Sequence, residues 1–212
     1  IEGDRPDGRS PSPFGGRAHP REDAHMRETI RTERLTLRPL RDADAGPITL
    51  YCSQFRVASM LARVPHPYPP GAAESFIERA RAGRSGETVW AIDGAASGAA
   101  DFLGVIGMKA GVDERGFGYW IGPPAWGLGY ATEAAAGVLG AAFAETPLKA
   151  AEAGVYHDNL ASRRVLEKLG FAPVAETEEF CPARGAMVPS TRMRLDRAGW
   201  LAATPDLSDA AE

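Results

Sequence analysis

The residues best suited to chemistry in this 212-residue chain lie between positions 118 and 171. Trp126-Gly127-Leu128-Gly129-Tyr130-Ala131-Thr132 places two glycines one residue apart, just ahead of an amphipathic run. Glycine has no Cβ and accepts positive φ, so main chain there can approach a bulky ligand closely. The first N–H groups of a following helix have no intrahelical partners and sit at the positive end of its dipole. Together these features suit a pyrophosphate, although a tight strand-to-helix turn would use the same residues. Further on, Asn159 and Ser162 open a second helical run, and His157 precedes them at a strand end. Asn159 reads as a helix cap and Ser162 as a first-turn hydroxyl. His157 is a candidate base, since imidazole is the side chain best matched to proton transfer near neutral pH, or a structural hydrogen-bonder.

The pattern discriminates among phosphate ligands. A P-loop needs Gly-Lys-Ser/Thr at the helix start, and none is present, so no lysine reaches a γ-phosphate and no hydroxyl follows it for Mg²⁺. A dinucleotide fold wants a third small residue three positions after Gly129, where Thr132 stands, and an acid about 20 residues on at a strand end. Glu152 falls mid-strand instead, and Pro123-Pro124 interrupts the strand before the turn. Neither a Gly-x-Ser-x-Gly elbow nor a Cys/His pattern argues for a covalent nucleophile. Cys52 and Cys181, without a CxxC or His/Cys cluster, read as two reduced, buried thiols rather than a disulfide or metal site.

The elements that must position these residues follow from periodicity. Leu35 and Leu37 alternate with polar neighbours in a first strand that Pro39 ends. Ile48, Cys52, Phe55 and Ser59 recur at helical spacing, with Asp42 or Asp44 as caps. Val64 to Gly71 holds four prolines and is a loop, and Ala73, Phe76, Ile77 and Ala80 mark a short helix ending near Gly83. Strands are expected over Thr88–Asp93, Phe102–Lys109 and Gly116–Ile121, after which Gly122-Pro123-Pro124 stops sheet pairing because proline has no N–H. Ala131, Ala134, Ala135, Val138, Leu139, Ala142 and Phe143 form the strongest helical stripe in the chain. A strand over Ala150–Tyr156, a helix with Val165, Leu166 and Leu169 inward and Gly170 as its stop, and strands over Phe171–Thr177 and Thr191–Asp196 complete a mixed α/β order.

Composition bounds the rest. With 44% apolar and 25% charged residues and a net charge of −4, the chain has the make-up of a globular protein and no basic block for nucleic acid. No apolar run is long enough to span a membrane, so a cytoplasmic location is expected. Ile, Leu, Val and Phe total only 40 residues while Ala supplies 37, so the core must be packed closely around small side chains. Residues 1–25 are rich in Pro, Gly and charge and are expected to be a vector-derived or disordered leader. A single domain is expected over 26–203, followed by a tail over 204–212.

Three motifs together resemble one family. Gly118-Tyr119-Trp120-Ile121-Gly122-Pro123 followed by Trp126-Gly127-Leu128-Gly129-Tyr130-Ala131-Thr132-Glu133-Ala134 resembles the acetyl-CoA-binding motif of the GNAT acetyltransferase superfamily. Asn159-Leu160-Ala161-Ser162 through Glu167-Lys168-Leu169-Gly170-Phe171 is similar to its Asn-x-x-Ser helix, and Thr32-Glu33-Arg34-Leu35-Thr36-Leu37-Arg38-Pro39-Leu40 to the opening strand of the RimJ/RimL-like branch. The resemblance implies a mixed, mostly antiparallel seven-stranded sheet, splayed between its fourth and fifth strands, with helices on both faces. It implies acetyl-CoA as donor, no metal, and direct attack by a primary amine, such as a protein N-terminal α-amine or a polyamine, amino acid or aminoglycoside. Trp120 and Ile121 would offer backbone groups to pantetheine. Gly127, Leu128, Gly129, Tyr130, Ala131 and Thr132 would offer N–H groups to the pyrophosphate. Asn159 would bond the pantetheine arm from across the gap, and Ser162 would protonate the departing thiolate.

Two positions depart from the pattern. Leu166 stands where many members have the tyrosine that acts as acid, leaving Ser162 as the nearest replacement, and Pro124 stands where Gln or Arg is common. Glu133 is expected to point away from a bound diphosphate and to favour the helix N-terminus. One of Tyr119 and Trp120 is expected in the core, and Trp126 is expected to anchor the loop. Candidate bases are Glu114, Glu176, Glu178, Glu179, His66 and His157, and the run Glu176-Thr177-Glu178-Glu179 reads as a solvated strand end or an attractor of cations. The chain is expected to be a monomer or homodimer. The competing classes are a non-catalytic acyl-CoA-binding module and a nucleotide-binding protein.

Overall fold

Alternating side-chain burial along short apolar runs produces an eight-stranded sheet in the computed structural model, which describes residues 26–204 except 27, 85, 110 and 112. The expected leader over 1–25 and positions 205–212 of the expected tail lie outside the described residues. The strands are β1 (Ile30–Arg31), β2 (Thr36–Arg38), β3 (Glu87–Asp93), β4 (Gly104–Lys109), β5 (Glu114–Ile121), β6 (Ala150–Tyr156), β7 (Ala172–Cys181) and β8 (Ala186–Asp196). Their order in the sheet is β1-β2-β3-β4-β5-β6-β8-β7. All neighbours are antiparallel except β5 and β6.

Helices cover both faces because successive strand residues point opposite ways. On β3, Trp90 and Ile92 join the core under α4 (Tyr130–Glu145), α5 (Leu160–Lys168) and α6 (Arg197–Ala203). Ala91 between them joins the core under α1 (Ala45–Cys52) and α3 (Ala72–Arg81). α4 buries Ala134, Ala135, Val138, Leu139, Ala142 and Phe143, six of the seven positions its spacing predicts, while Ala131 in the first turn is only half-buried. Three of these six are alanines, which lets the helix backbone sit close to the sheet, as the alanine-rich composition requires.

Several boundaries differ from expectation for physical reasons. The eighth strand is β1, whose two residues are too few to show a period. The helix expected across Ile48 to Ser59 is broken into α1 and α2 (Phe55–Ala58), with Gln54 between them in an extended conformation. Asp44 does not cap α1 through its side chain. Its carboxylate is drawn to Arg38, whose Nη1 and Nη2 donate at 2.9 and 3.0 Å, while Arg38 Nε donates to Asp93 Oδ2 at 2.7 Å. β4 begins at Gly104 rather than Phe102, and β7 and β8 extend into one long hairpin through the acidic run. Cys52 and Cys181 are free and buried, as expected.

The feature that matters most for function is where the sheet opens. β5 and β6 pair only at Glu114↔Ala150, Arg115↔Ala151 and Gly116↔Glu152. Beyond that point Phe117 to Ile121 stay paired with β4, and Ala153 to Tyr156 stay paired with β8. Counted without β1, β5 and β6 are the fourth and fifth of the seven expected strands. The chain then leaves β5 through a 3₁₀ turn at Pro123–Ala125, and the missing proline N–H groups prevent the sheet from continuing.

Candidate active site

The loop that enters α4 is held from outside rather than by its own main chain. Gly127 and Gly129 have φ of +77° and +83°, values that favour glycine. The Trp126 indole Nε1 donates to Ile121 O at 2.6 Å, which anchors the loop to the end of β5 as expected. Among the described residues, no protein acceptor takes the N–H groups of Gly127, Leu128, Gly129, Tyr130, Ala131 or Thr132 outside regular helix bonding. They lie at the N-terminus of a 16-residue helix, a position that favours an anion.

Glu133 is bonded to Thr32 and Arg34 rather than to these N–H groups. Its Oε1 accepts from Thr32 Oγ1 at 2.6 Å and from the Arg34 backbone N–H at 2.7 Å. Its Oε2 accepts from Arg34 Nε at 2.6 Å. Burial raises the Glu133 carboxyl, but the bonds from Thr32 and Arg34 outweigh it and hold the group below the usual carboxylate range. Arg34 also donates from Nη1 to Leu128 O at 3.1 Å and lies 4.7 Å from the centre of the Tyr130 ring. Its Nη2 would be 3.3 Å from a Cβ placed on Gly129. Arg34 is therefore a loop-binding cation that sequence reasoning missed. The signal was its place in the Thr32-Glu33-Arg34 motif, whose contact with the glycine loop is invisible along the chain.

At the gap, main-chain direction can be read from the ladder. Gly122 N–H donates to Leu103 O at 2.7 Å, toward β4. In an antiparallel pair this direction alternates, so the groups of Trp120 also face β4, and those of Tyr119 and Ile121 face the open side. The Ile121 carbonyl is held by Trp126, which leaves its N–H and both Tyr119 groups at the edge. Neither Tyr119 nor Trp120 is fully buried: Tyr119 packs against the α4 side of the sheet and Trp120 against the α1 side, 6.3 Å from Tyr51 and 5.9 Å from Phe102.

Asn159 caps α5, with its side-chain Oδ1 accepting from Ser162 N at 3.1 Å. The Ser162 hydroxyl lies 3.0 Å from the Tyr119 hydroxyl, so a β5 side chain reaches α5 on one side of the gap. Burial pushes the Tyr119 phenol up to about 12, against the opposing effect of its Ser162 bond. Leu166 is fully buried and contributes only packing. The turn before Asn159 is pinned by Arg184, which grips both Asp158 oxygens at 2.7 and 3.1 Å and donates from Nε to Ser59 O at 2.8 Å.

The base candidates fall in separate places. His157 Nε2 lies 2.6 Å from Glu176 Oε2, and Thr191 Oγ1 donates to the same carboxylate at 3.2 Å. Val155 pairs with Thr191, and Glu176 with Thr191, which puts His157 and Glu176 on the α5 side of the sheet. Glu179 lies over Gly154 on the other side, its Oε1 3.0 Å from where a Cβ would be. Glu114 pairs with Arg194 at the closed end of β5 and β6, and His66 packs edge-on against Phe55, 5.3 Å away. Glu178 is exposed on β7. The structure thus joins Asn159, Ser162 and Tyr119 in one cluster and His157 with Glu176 in another, without a side-chain hydrogen bond between the clusters among the described residues.

Comparison with known proteins agrees with this geometry. Residues 34–172 match the domain model described as Acetyltransferase (GNAT) domain. Comparison with curated protein sequences gives no match. Among solved structures, the chain is similar to Mycobacterium smegmatis RimJ in complex with CoA-disulfide, at 20% identity and TM-score 0.69 over 86% of this chain and 93% of that one. It is similar to a spermidine N-acetyltransferase from Vibrio cholerae in complex with CoA and spermine, at 19% and 0.67 over 79% and 98%. An acetyltransferase from Agrobacterium tumefaciens str. C58 matches at 25% and 0.62 over 80% and 94%.

Proposed function

From the premise that the chain belongs to the GNAT acetyltransferase family, and so is an acetyl-CoA-dependent acetyltransferase, we propose that its acceptor is a primary amine, with a protein N-terminal α-amine as the best-supported class. Acetyl-CoA supplies the thioester carbonyl that the amine attacks. The observation that carries the reading is the β5/β6 opening beside a loop of unpaired N–H groups. The residues fit the donor one by one. The amides of Gly127 to Thr132, with Arg34 beside Gly129, suit its pyrophosphate. The edge groups of Tyr119 and Ile121 suit its amide-bearing arm. Asn159, which caps α5, would bond that arm, and Ser162 would protonate the sulfur.

The energetics of the amine favour the α-amine. At pH 7 an α-amine with pKa near 8 costs about 1.4 kcal/mol to deprotonate, whereas a lysine-like amine costs about 4.6 kcal/mol. A modest base suffices for the first, and the His157–Glu176 pair provides one: Glu176 orients the imidazole, and His157 takes the proton. A second reading, a polyamine acceptor, is favoured by the carboxylates Glu176 and Glu178, which share one face of β7. The RimJ and spermidine N-acetyltransferase likenesses are compatible with either.

The test is incubation of the chain with acetyl-CoA and a panel holding a peptide with a free N-terminus, spermidine, an amino acid and an aminoglycoside, with release of free thiol as the signal. The peptide is expected to be the fastest acceptor. Preference for spermidine would replace the first acceptor class with the second. Tight CoA binding without thiol release on any amine would overturn both.

A further inference from the structure

We propose that Tyr119 is a positioning residue for Ser162: its hydroxyl donates to Ser162 Oγ and leaves the Ser162 proton directed at the sulfur that departs. This inference rests on the acetyltransferase reading above and deepens it by completing the proton donor. The position at which the resemblance implies a tyrosine holds Leu166, 1% exposed and without a proton to give. A tyrosine from a different element reaches the same helix. Tyr119 comes from β5, 43 residues away in sequence, and its hydroxyl lies 3.0 Å from Ser162 Oγ and 3.3 Å from Ser162 O. The shorter contact is nearer the preferred O–H···O distance, which makes Oγ the main partner.

Either hydroxyl can donate across the 3.0 Å contact, and donation from Tyr119 to Ser162 is the direction proposed. The Tyr119 ring is held against Phe117, with ring centres 5.8 Å apart, and packs on the core beneath α4 and α5. Burial keeps the phenol protonated across the whole neutral range. A serine hydroxyl has one proton and two lone pairs. With one lone pair taken by Tyr119, its own proton is left for another acceptor, and each hydroxyl in such a chain polarises the next. The Ser162 backbone N–H is already committed to Asn159 Oδ1, so the helix start holds the hydroxyl at a fixed place.

The step balances as follows. The carbon–sulfur bond breaks and its electron pair stays on sulfur. His157 has taken the first proton of the ammonium before attack; as the Ser162 proton moves to the sulfur, the Tyr119 hydrogen bond stabilises the negative charge developing on Oγ, and the second proton, shed by the nitrogen after attack, restores Ser162.

Tyr119→Phe keeps the ring and removes the donor, so it tests the idea in the full chain beside Ser162→Ala and the double variant. Two readouts are needed: turnover with the fastest amine of the panel, and the pH at which the thiol of bound CoA ionises, followed by thiolate ultraviolet absorbance without any acceptor. Loss of one hydrogen bond made in the transition state should lower kcat on the order of tenfold, with KM for acetyl-CoA within about twofold. The bound thiol should titrate about one pH unit higher. Tyr119→Phe should add nothing in the Ser162→Ala background. The inference is overturned if Tyr119→Phe matches the parent in both readouts, or if it slows Ser162→Ala as much as it slows the parent, as a purely structural tie between β5 and α5 would. If CoA fails to bind the parent chain, the acetyltransferase reading itself falls. If CoA binds and its thiol titrates alike in all variants, only the present inference falls.

Discussion

Glu133 holds Arg34 by two separate bonds, one oxygen taking the backbone N–H at 2.7 Å and the other the guanidinium Nε at 2.6 Å. The residues are 99 positions apart. Their pairing engages the carboxylate in the first turn of α4 and in the same stroke brings a cation to Gly129. A structure lacking either residue would lose both effects.

That pairing gives a pH signature. The folded Glu133 carboxyl is held below its ordinary value of 4.5. Stability from its ionised form is therefore fully present above that value and is lost as pH falls through the lower folded value. Glu133→Gln should lower the melting temperature at neutral pH, and the gap from the parent should close as pH drops well below 4. A gap that stayed constant over the whole acid range would show that the carboxylate charge is not the source.

Gly129→Val should weaken CoA binding. At φ +83° a side chain forces a left-handed conformation that costs roughly 1–2 kcal/mol even before branching is considered. The new Cβ would also crowd Arg34 Nη2 at 3.3 Å. Calorimetric titration with CoA should show an affinity loss of about tenfold or more. A folded variant that binds CoA as the parent does would contradict the role given to this loop.

Asn159 has two separable jobs. As a cap, its replacement by Ala should cost about 1 kcal/mol, readable in denaturant unfolding. Asn159→Asp should restore most of that stability, because Asp caps as well as Asn, but it lacks the amide N–H donors. Turnover should fall in both variants. Full turnover in Asn159→Asp would reduce the residue to a cap.

Arg38 tests the frame rather than the site. Its side chain is 5% exposed and lies between Asp44 and Asp93, with a further bond to Asp101 O at 2.8 Å. Arg38→Ala would strand two carboxylates in the interior and should cost about 3–5 kcal/mol in unfolding free energy. A loss under about 1 kcal/mol would mean that water reaches the pair.

Much of the scaffold was readable residue by residue. The α4 stripe, the bounds of β6 at Ala150 and Tyr156, the Asn159 cap and the Gly170 stop depend on neighbours within a few positions, where helical or strand spacing and backbone preference act directly. The opening between β5 and β6 was expected only from the family resemblance: Pro123-Pro124 mark where β5 itself must end, but pairing with β6 already stops after Gly116. The hairpin of β7 and β8 was underestimated because an edge strand exposes its acidic side chains and so carries no apolar alternation. The contacts that build the site were out of reach for a deeper reason. Tyr119 meets Ser162, Arg34 meets Glu133 and His157 meets Glu176 only because the sheet places β5, β2, β6 and β7 in a particular spatial order. Local propensity acts over a turn or a pleat and fixes each segment's shape. Which polar atoms end within 3 Å of one another depends on how those segments share a core, and that is settled by packing across the whole fold.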